Sequence, residues 1–230
     1  MTALADDMRT SVVIPVLNEA EVMKKAIAKA WAAGAFEVIV ADGGSRDNTA
    51  EFVRQSDAKL VIGESGRGQQ MNLGAAQATG EILLFLHADT WLADKAIDQL
   101  NVAMSQSDSV GGGFHQALNS SRMVYRMIEA GNAFRARYQR LVYGDQGIFV
   151  RRSVFEQLGG FAEIPLMEDF DFSQRCFVDS APLLLEGPIH VDVRRWERLG
   201  VMRTTINNWK IAKAWRQGVG AEELYRRYYR

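Results

Sequence analysis

The chain has little of what marks several protein classes. Of its 230 residues only one is cysteine, Cys176. That excludes a disulfide framework and a cysteine-based zinc site, and it suits a reducing compartment. Three histidines, His87, His115 and His190, leave little room for a histidine-rich metal centre. The longest strongly apolar run, Ile82 to Leu86, is far too short to cross a bilayer. The opening MTALADDMRT is polar and acidic and does not read as a signal peptide. Glycine-rich nucleotide fingerprints are missing as well. The turn after the first strand reads Pro15-Val-Leu-Asn18-Glu19, without the G-x-G-x-x-G of a dinucleotide fold. No Walker loop and no G-x-S-x-G elbow occurs.

What is present is an ordinary globular profile, 47% apolar and 24% charged, which excludes disorder, collagen and coiled coil as the main architecture. The length allows one domain or two small ones, with a core that needs no staples. The net charge of -1 is unevenly spread: ten Lys/Arg stand against three Asp/Glu from Val193 onward, so the rest is acidic. A basic tail on an acidic body faces something anionic or docks on that body. Nothing in the charge balance points to nucleic acid.

Hydrophobic periodicity predicts strands at Ser11–Leu17, Glu37–Ala41, Lys59–Ile62 and Glu81–Leu86. Helices are predicted between them: one capped by Asn18 and stopped by Gly34, one over Asn48–Gln55 and one over Gly68–Thr79. A fourth helix is predicted from Leu92 to about Ser105. Four strand–helix alternations imply parallel βαβ units. Asn18, Asp42 and Asp89 all fall just past strand carboxyl ends, the edge where open α/β sheets bind ligands. The second half is less regular. It carries a strand or bulge at Gly111–His115, a helix over Ser120–Val142, a strand at Gly147–Val150 and a helix over Met167–Asp179. Two short strands near 183–186 and 189–193 precede a helical tail.

Several segments suit chemistry but also have plainer uses. Asp42-Gly-Gly-Ser45-Arg-Asp47 offers a carboxylate to a base or sugar, although Ser45 and Asp47 also fit helix capping. In His87-Ala-Asp89, a two-residue period puts an imidazole and a carboxylate on one side, where they suit a divalent ion; Asp89 also fits a helix cap. Gly66-Arg67-Gly68-Gln69-Gln70-Met71-Asn72 opens a helix and favours anions. Glu168-Asp169-Phe-Asp171 sets carboxylates at a helix start, where one would serve as a general base and the dipole alone also welcomes them. Arg195-Trp196 combines a phosphate clamp with a stacking surface. Cys176 reads as a buried, inert thiol.

The order of these motifs resembles the family-2 glycosyltransferases, in particular small soluble bacterial members. It runs S-V-V-I-P-V-L-N-E, D-G-G-S-x-D-N-T, G-R-G-x-Q-x-N-x-G-A, H-A-D, G-D-Q-G-I-F-V, M-E-D-F-D and R-R-W, from about Ser11 to Gly200. The resemblance implies an α/β GT-A fold with one Rossmann-like, mostly parallel sheet flanked by helices, and a C-terminal helical extension. It implies one glycosyltransferase domain over 1–230: a nucleotide-sugar half at about 10–105, an acceptor half at about 106–198, and C-terminal helices at about 199–230. By this match Pro15, Asn18 and Glu19 border the nucleotide, Asp42 meets the base, and Arg67 lies beside base or phosphates. Asp89 meets ribose and metal, Asp169 is the catalytic base, and Arg195 and Trp196 match the R-W pair. Gly43, Ser45, Gln70, Asn72, Asp145, Gln146 and Glu168 fall on the remaining substrate-facing motifs.

Two positions depart from the pattern. His87 stands where a first carboxylate of D-x-D is usual, which makes it a candidate metal ligand with Asp89. Asp192 stands for the Gln of Q-x-x-R-W. With no membrane segments following, both departures argue against a processive synthase. The implied activity is metal-dependent transfer, with Mg or Mn, from a nucleotide sugar, a UDP-sugar first, to an unknown hydroxyl, inverting and non-processive. A sugar nucleotidyltransferase, or a decayed nucleotide-sugar-binding module, is the alternative. The expected location is cytoplasmic, with room for peripheral contact at the inner face of the membrane. In the tail, Met202, Thr205, Ile206, Trp209, Ala212, Trp215 and Val219 recur at helical spacing. That stripe suits packing on the body or on a second subunit ahead of lying on an anionic membrane.

Overall fold

The computed structural model describes residues 8–229, apart from the side chain of Arg195. The elements run β1 (Thr10–Val16), α1 (Ala20–Ala32), β2 (Glu37–Asp42), α2 (Thr49–Arg54), β3 (Lys59–Ile62), α3 (Arg67–Ala75), β4 (Ile82–Phe85), β5 (Thr90–Leu92), α4 (Ala96–Ser105) and β6 (Gly111–Leu118). They continue with α5 (Met123–Gln139), a 3-10 turn (Gly144–Gln146), β7 (Ile148–Arg151), α6 (Arg152–Gln157), α7 (Glu168–Cys176), β8 (Leu183–Val191), α8 (Arg194–Leu199), α9 (Val201–Arg216) and α10 (Ala221–Tyr228).

The strands form a single sheet in the order β3-β2-β1-β4-β7-β6-β8-β5. Pairing is parallel from β3 to β4 and between β6 and β8, and antiparallel where β7 and β5 join. Strand alternation builds two cores. Val12, Ile14 and Val16 of β1 point to one face, against Met23 and Ile27 of α1 and Leu100 of α4. Val13 and Leu83 point to the other, against Met71 of α3 and Phe172 and Cys176 of α7. This is the expected α/β architecture with helices on both faces, and its period of two follows from the strand geometry.

The structure departs from the expected pattern at several points. Asn18 does not cap α1. It sits at φ 56°, its Oδ1 accepts from the Arg46 amide, and its own amide donates to Ser45 Oγ. Thr49 Oγ1 and Asp47 Oδ2 accept from the Glu19 and Ala20 amides instead, so the neighbouring loop caps the helix from outside. His87-Ala-Asp89 is not strand: β4 stops at Phe85, and the Thr90 amide turns back to the His87 carbonyl. Residues 90–92 then form β5, an antiparallel partner of β8 that a helix-starting pattern at Leu92 concealed. The two short late strands are one strand, bent at Gly187.

No helix among the described residues is long and apolar enough to cross a membrane. The tail is docked on the body in part. Ile211, Ala212 and Leu224 pack with Leu166, Met167 and Phe170, and Trp215 and Val219 lie against them. Met202, Ile206 and Trp209 remain exposed. Cys176 faces the α7 core, and burial pushes its thiol up to about 12. Iodoacetamide at mildly alkaline pH should therefore leave the native protein unmodified and label it once denatured. Rapid labelling of the native protein would contradict the packing of α7.

Candidate active site

The carboxyl ends of β1, β2 and β4 lie side by side, and their following loops build a cleft. Its floor is a cavity of about 250 Å³ that seven of the expected residues line: Arg67, His87, Asp89, Asp145, Glu168, Asp169 and Trp196. A recess of about 470 Å³ adjoins it, sharing Arg67 and Tyr229, and is lined by Pro15, Glu19 and Gln70.

Asp169 stands at the first turn of α7. Its Oδ2 accepts from the Gly144 amide at 2.8 Å and its Oδ1 from the Phe170 amide at 2.7 Å, so the carboxylate is held at both ends. Gly144 is required by closeness: a Cβ there would lie 2.5 Å from His87 Nε2. The imidazole, the glycine and Asp169 thus form one stack. Burial, aided by Arg67, lowers His87 to about 3 against the opposing pull of Asp169, so its ring is neutral at physiological pH. Its Nε2 is buried and has no partner.

Arg67 reaches across from α3 to the buried Glu168, Nη1 to Oε1 at 3.1 Å. Burial pulls the guanidinium down, but Glu168 and Asp169 outweigh it and hold it charged. Burial and Asp169 push Glu168 up, opposed by Arg67. Asp89 is raised above all by burial, with Asp192 adding to the rise and Arg67 and Arg194 opposing it. Burial, opposed by Arg135, also raises Asp145. A site with this many carboxylates and few cations is built for a positive guest.

Unpaired polar atoms mark the same place. Among the described residues nine buried side-chain polar atoms lack a partner, and five of them belong to residues lining this cavity: His87, Asp145, Trp196, Thr204 and Asn208. Buried polar groups are normally bonded, so such a concentration marks a place where a ligand completes the bonding.

Other expected residues make contacts within the scaffold. Asp42 is 1% exposed, and its Oδ1 accepts from the Ser45 amide at 2.7 Å, closing the Gly43–Gly44 turn beneath the cleft. Gln70 donates from Nε2 to the Val16 and Ala41 carbonyls at 2.7 and 2.9 Å, stapling the ends of β1 and β2. A side chain at Gly43 would crowd Gln70, since a Cβ there would meet its amide carbon at 3.0 Å. Asn72 bonds the Phe161 backbone twice, away from the cavity. Gln146 accepts from Arg135 Nη2 at 2.6 Å and from the Tyr143 amide. Asn18 and Ser45 brace the loop above α1. The side chain of Arg195 lies outside the described residues. Conversely, Tyr143, Thr204, Asn208, Tyr228 and Tyr229 line the cavity although no motif announced them. Three of them sit on α9 and α10, and only the docking of the tail brings them here.

Known proteins share this fold and much of this sequence. A family profile described as "Glycosyl transferase family 2" matches residues 11–159. A "PGL/p-HBAD biosynthesis glycosyltransferase" of Mycobacterium bovis (strain BCG / Pasteur 1173P2) is 33% identical over 215 residues, 85% of this chain and 79% of its own length. "Glycosyltransferase AglE" of Haloferax volcanii is 28% identical over 66% of this chain and 55% of its own. Among solved structures, the mannosyltransferase PcManGT from Pyrobaculum calidifontis, in complex with GDP-Man and Mn²⁺, superposes with a TM-score of 0.64 at 22% identity. That match covers 96% of this chain and 69% of the other. TarS 1-349 of S. aureus in complex with UDP-GlcNAc gives 0.66 at 18% identity, over 81% of this chain and 59% of TarS 1-349.

The stack makes a direct prediction. Gly144→Ala would drive a methyl into the His87 ring and disturb the amide that orients Asp169, while Ala suits the backbone there. The overpacked variant should still fold but melt at least a few degrees below wild type, and bind nucleotide sugars more weakly by calorimetry. Unchanged binding would show that His87 can yield without consequence.

Proposed function

The chain is a glycosyltransferase, a member of glycosyl transferase family 2, and from that premise we propose that it moves a sugar from a nucleotide-sugar donor to an acceptor hydroxyl, with inversion and one residue at a time. The observation that carries this reading is the carboxylate of Asp169, fixed by two amides, in one cavity with Asp89 and the unpaired His87. The nucleoside would lie in the recess lined by Pro15, Glu19, Arg67 and Tyr229, with its diphosphate toward Asp89. UDP-GlcNAc and GDP-Man in the structural neighbours support a donor of this class.

The residues fit a divalent ion. His87 offers a neutral, unpartnered Nε2 and Asp89 a carboxylate in the same cavity. Among the described residues no cluster of three or more side-chain ligands exists, so the donor's phosphate oxygens would complete the coordination. When bound, Mg²⁺ or Mn²⁺ supplies Lewis-acid neutralisation of the departing diphosphate. Asp169 then does the proton work. The acceptor oxygen attacks the anomeric carbon, the bond from that carbon to the phosphate oxygen breaks, and the hydroxyl proton passes to Asp169. The amides from Gly144 and Phe170 keep the carboxylate in place while lone pairs remain free to take it. Attack from the side opposite the leaving group gives inversion.

A general base contributes about 10²–10⁴-fold. Asp169→Asn should therefore lose sugar transfer by that factor while keeping donor affinity. Transfer to water, read as nucleoside diphosphate released from UDP-glucose, UDP-GlcNAc or GDP-mannose, gives a readout that needs no known acceptor. Glu168→Gln should cost less, because Glu168 faces Arg67. Near-wild-type turnover by Asp169→Asn would refute the assignment.

The outer face of α9 supports a second element of this reading, an anionic bilayer surface beside which the enzyme works. Met202, Ile206 and Trp209 are exposed on the face opposite the buried Thr204, Ile211 and Ala214. The helix carries Arg203, Lys210, Lys213 and Arg216 and no acidic residue. Such a face repels a second copy of itself, whereas each basic residue near an anionic leaflet contributes about 1 kcal/mol of attraction. Vesicles containing phosphatidylglycerol should sediment the protein and phosphatidylcholine vesicles should not. Trp209→Ser combined with Lys210→Glu should abolish the difference. No sedimentation with either vesicle, or dimerisation through this face, would overturn the assignment.

A further inference from the structure

The buried side of α9 carries an observation that the transfer reading does not use. Thr204 is 5% exposed, its hydroxyl has no partner, and Asn208, one turn further, leaves Oδ1 buried and unpaired. Both line the cavity that holds Asp89 and Asp169, and so do Trp196 and Asp145, whose Nε1 and Oδ1 are equally unpaired. A helix packed on its own body would place apolar groups at these positions, as it does at Ile211, Ala212 and Ala214. An unpaired buried donor or acceptor is costly to fold around, so the four atoms are explained by a guest rather than by packing.

The chemistry of the four atoms selects the guest. Asp145 Oδ1 and Asn208 Oδ1 accept, Trp196 Nε1 donates, and the Thr204 hydroxyl does both. A phosphate presents almost only acceptors and would meet two oxygens here. Ring hydroxyls donate and accept at once. Leu166, Met167, Val191 and Ile211 give the cavity an apolar side, suited to the C–H face of a ring. The volume of about 250 Å³ is equivalent to about eight waters at ~30 Å³ each, enough for a hydroxylated ring.

We infer that Thr204 and Asn208 of the C-terminal helix, with Asp145 and Trp196, form the subsite that binds the hydroxyls of the donor's sugar ring. This rests on the glycosyl-transfer reading above and adds its sugar-specificity determinants. The tail is then part of the active site. Its packing against Phe170, next to Asp169, sets the subsite beside the catalytic carboxylate.

Thr204→Val and Asn208→Leu test the inference by two independent measurements. The first needs no ligand. Each substitution replaces a polar group that has no partner with an apolar one of similar shape, so the melting temperature of the free protein should hold or rise by about 2–4 °C. A fall of several degrees in both variants would mean that the groups have structural partners, and would overturn the inference. The second compares affinity for UDP with affinity for whichever of UDP-glucose, UDP-galactose, UDP-GlcNAc and GDP-mannose stabilises wild type most (GDP replaces UDP if the guanosine sugar wins). Each variant should bind the nucleoside diphosphate as wild type does and the nucleotide sugar about three- to ten-fold more weakly. Equal weakening of both ligands, or of neither, overturns the subsite. A wild-type protein that binds none of the four nucleotide sugars overturns the transfer reading itself, a different outcome from binding that survives in the variants.

Discussion

The antiparallel pairing of β7 with β4 is the constraint on which the rest of this molecule depends. Three parallel neighbours, β3, β2 and β1, lead to β4, and a fourth parallel crossover would have left the sheet's carboxyl edge open. Instead β7 runs back along β4 with Ile82 opposite Arg151 and Phe85 opposite Ile148. Continued beyond Phe85, that register brings the loop after β4 against the turn before β7. His87 therefore meets Gly144, and the Gly144 amide meets Asp169. Neither the imidazole nor the carboxylate would find the other without that reversal. The hydrogen-bond ladder fixes their separation more firmly than a side-chain contact would.

Around this seam the charges are held out of balance. Burial raises Glu19, Asp89, Asp145 and Glu168, and neighbouring carboxylates raise all four further. Arg67 opposes the rise at Asp89 and Glu168 but is itself tied to Glu168. A protein under selection for stability alone would replace such groups with apolar ones. The clustering of Asp89, Asp145 and Glu168 on one cavity, beside unpaired hydroxyl, amide and indole groups, is the arrangement expected of a site whose electrostatics a bound cation completes. The same logic explains why α9 is polar where it faces the cleft and apolar a turn further on, where it meets Phe170 and Leu166.

Much of this was legible from local chemistry. The parallel half follows from β-branched runs alternating with helical periodicity, and β1, β2, β3 and β4 lie within a residue or two of where those runs place them. Seven of the anticipated site residues meet in one cavity because each follows a strand end or opens a helix. Three anticipated residues show what a local pattern does not hold. Gln70 and Asn72 sit in the expected motifs, but each bonds backbone that another segment supplies, Val16 with Ala41 and Phe161, while Asp42 closes its own turn onto the Ser45 amide. Whether a polar residue faces a ligand or a carbonyl depends on which backbone groups are left unpaired nearby, and a one-dimensional pattern does not contain that information.

The sequence by itself determined the α/β class, the strand ends that carry Asp89 and the loop after β1, the acidic start of α7, and the amphipathic, basic character of the tail. Those properties depend on neighbours within a few residues: periodicity, capping and dipole preference act over one or two turns. Only the tertiary structure decided that His87 and Asp169 meet at Gly144, that β5 pairs with β8, and that Thr204, Asn208 and Tyr229 join a site whose Arg67, His87 and Asp89 lie more than a hundred positions away. These contacts arise when the sheet closes and the tail docks. Their energetics come from shared burial and the pairing of distant backbone groups, which no local segment can express on its own.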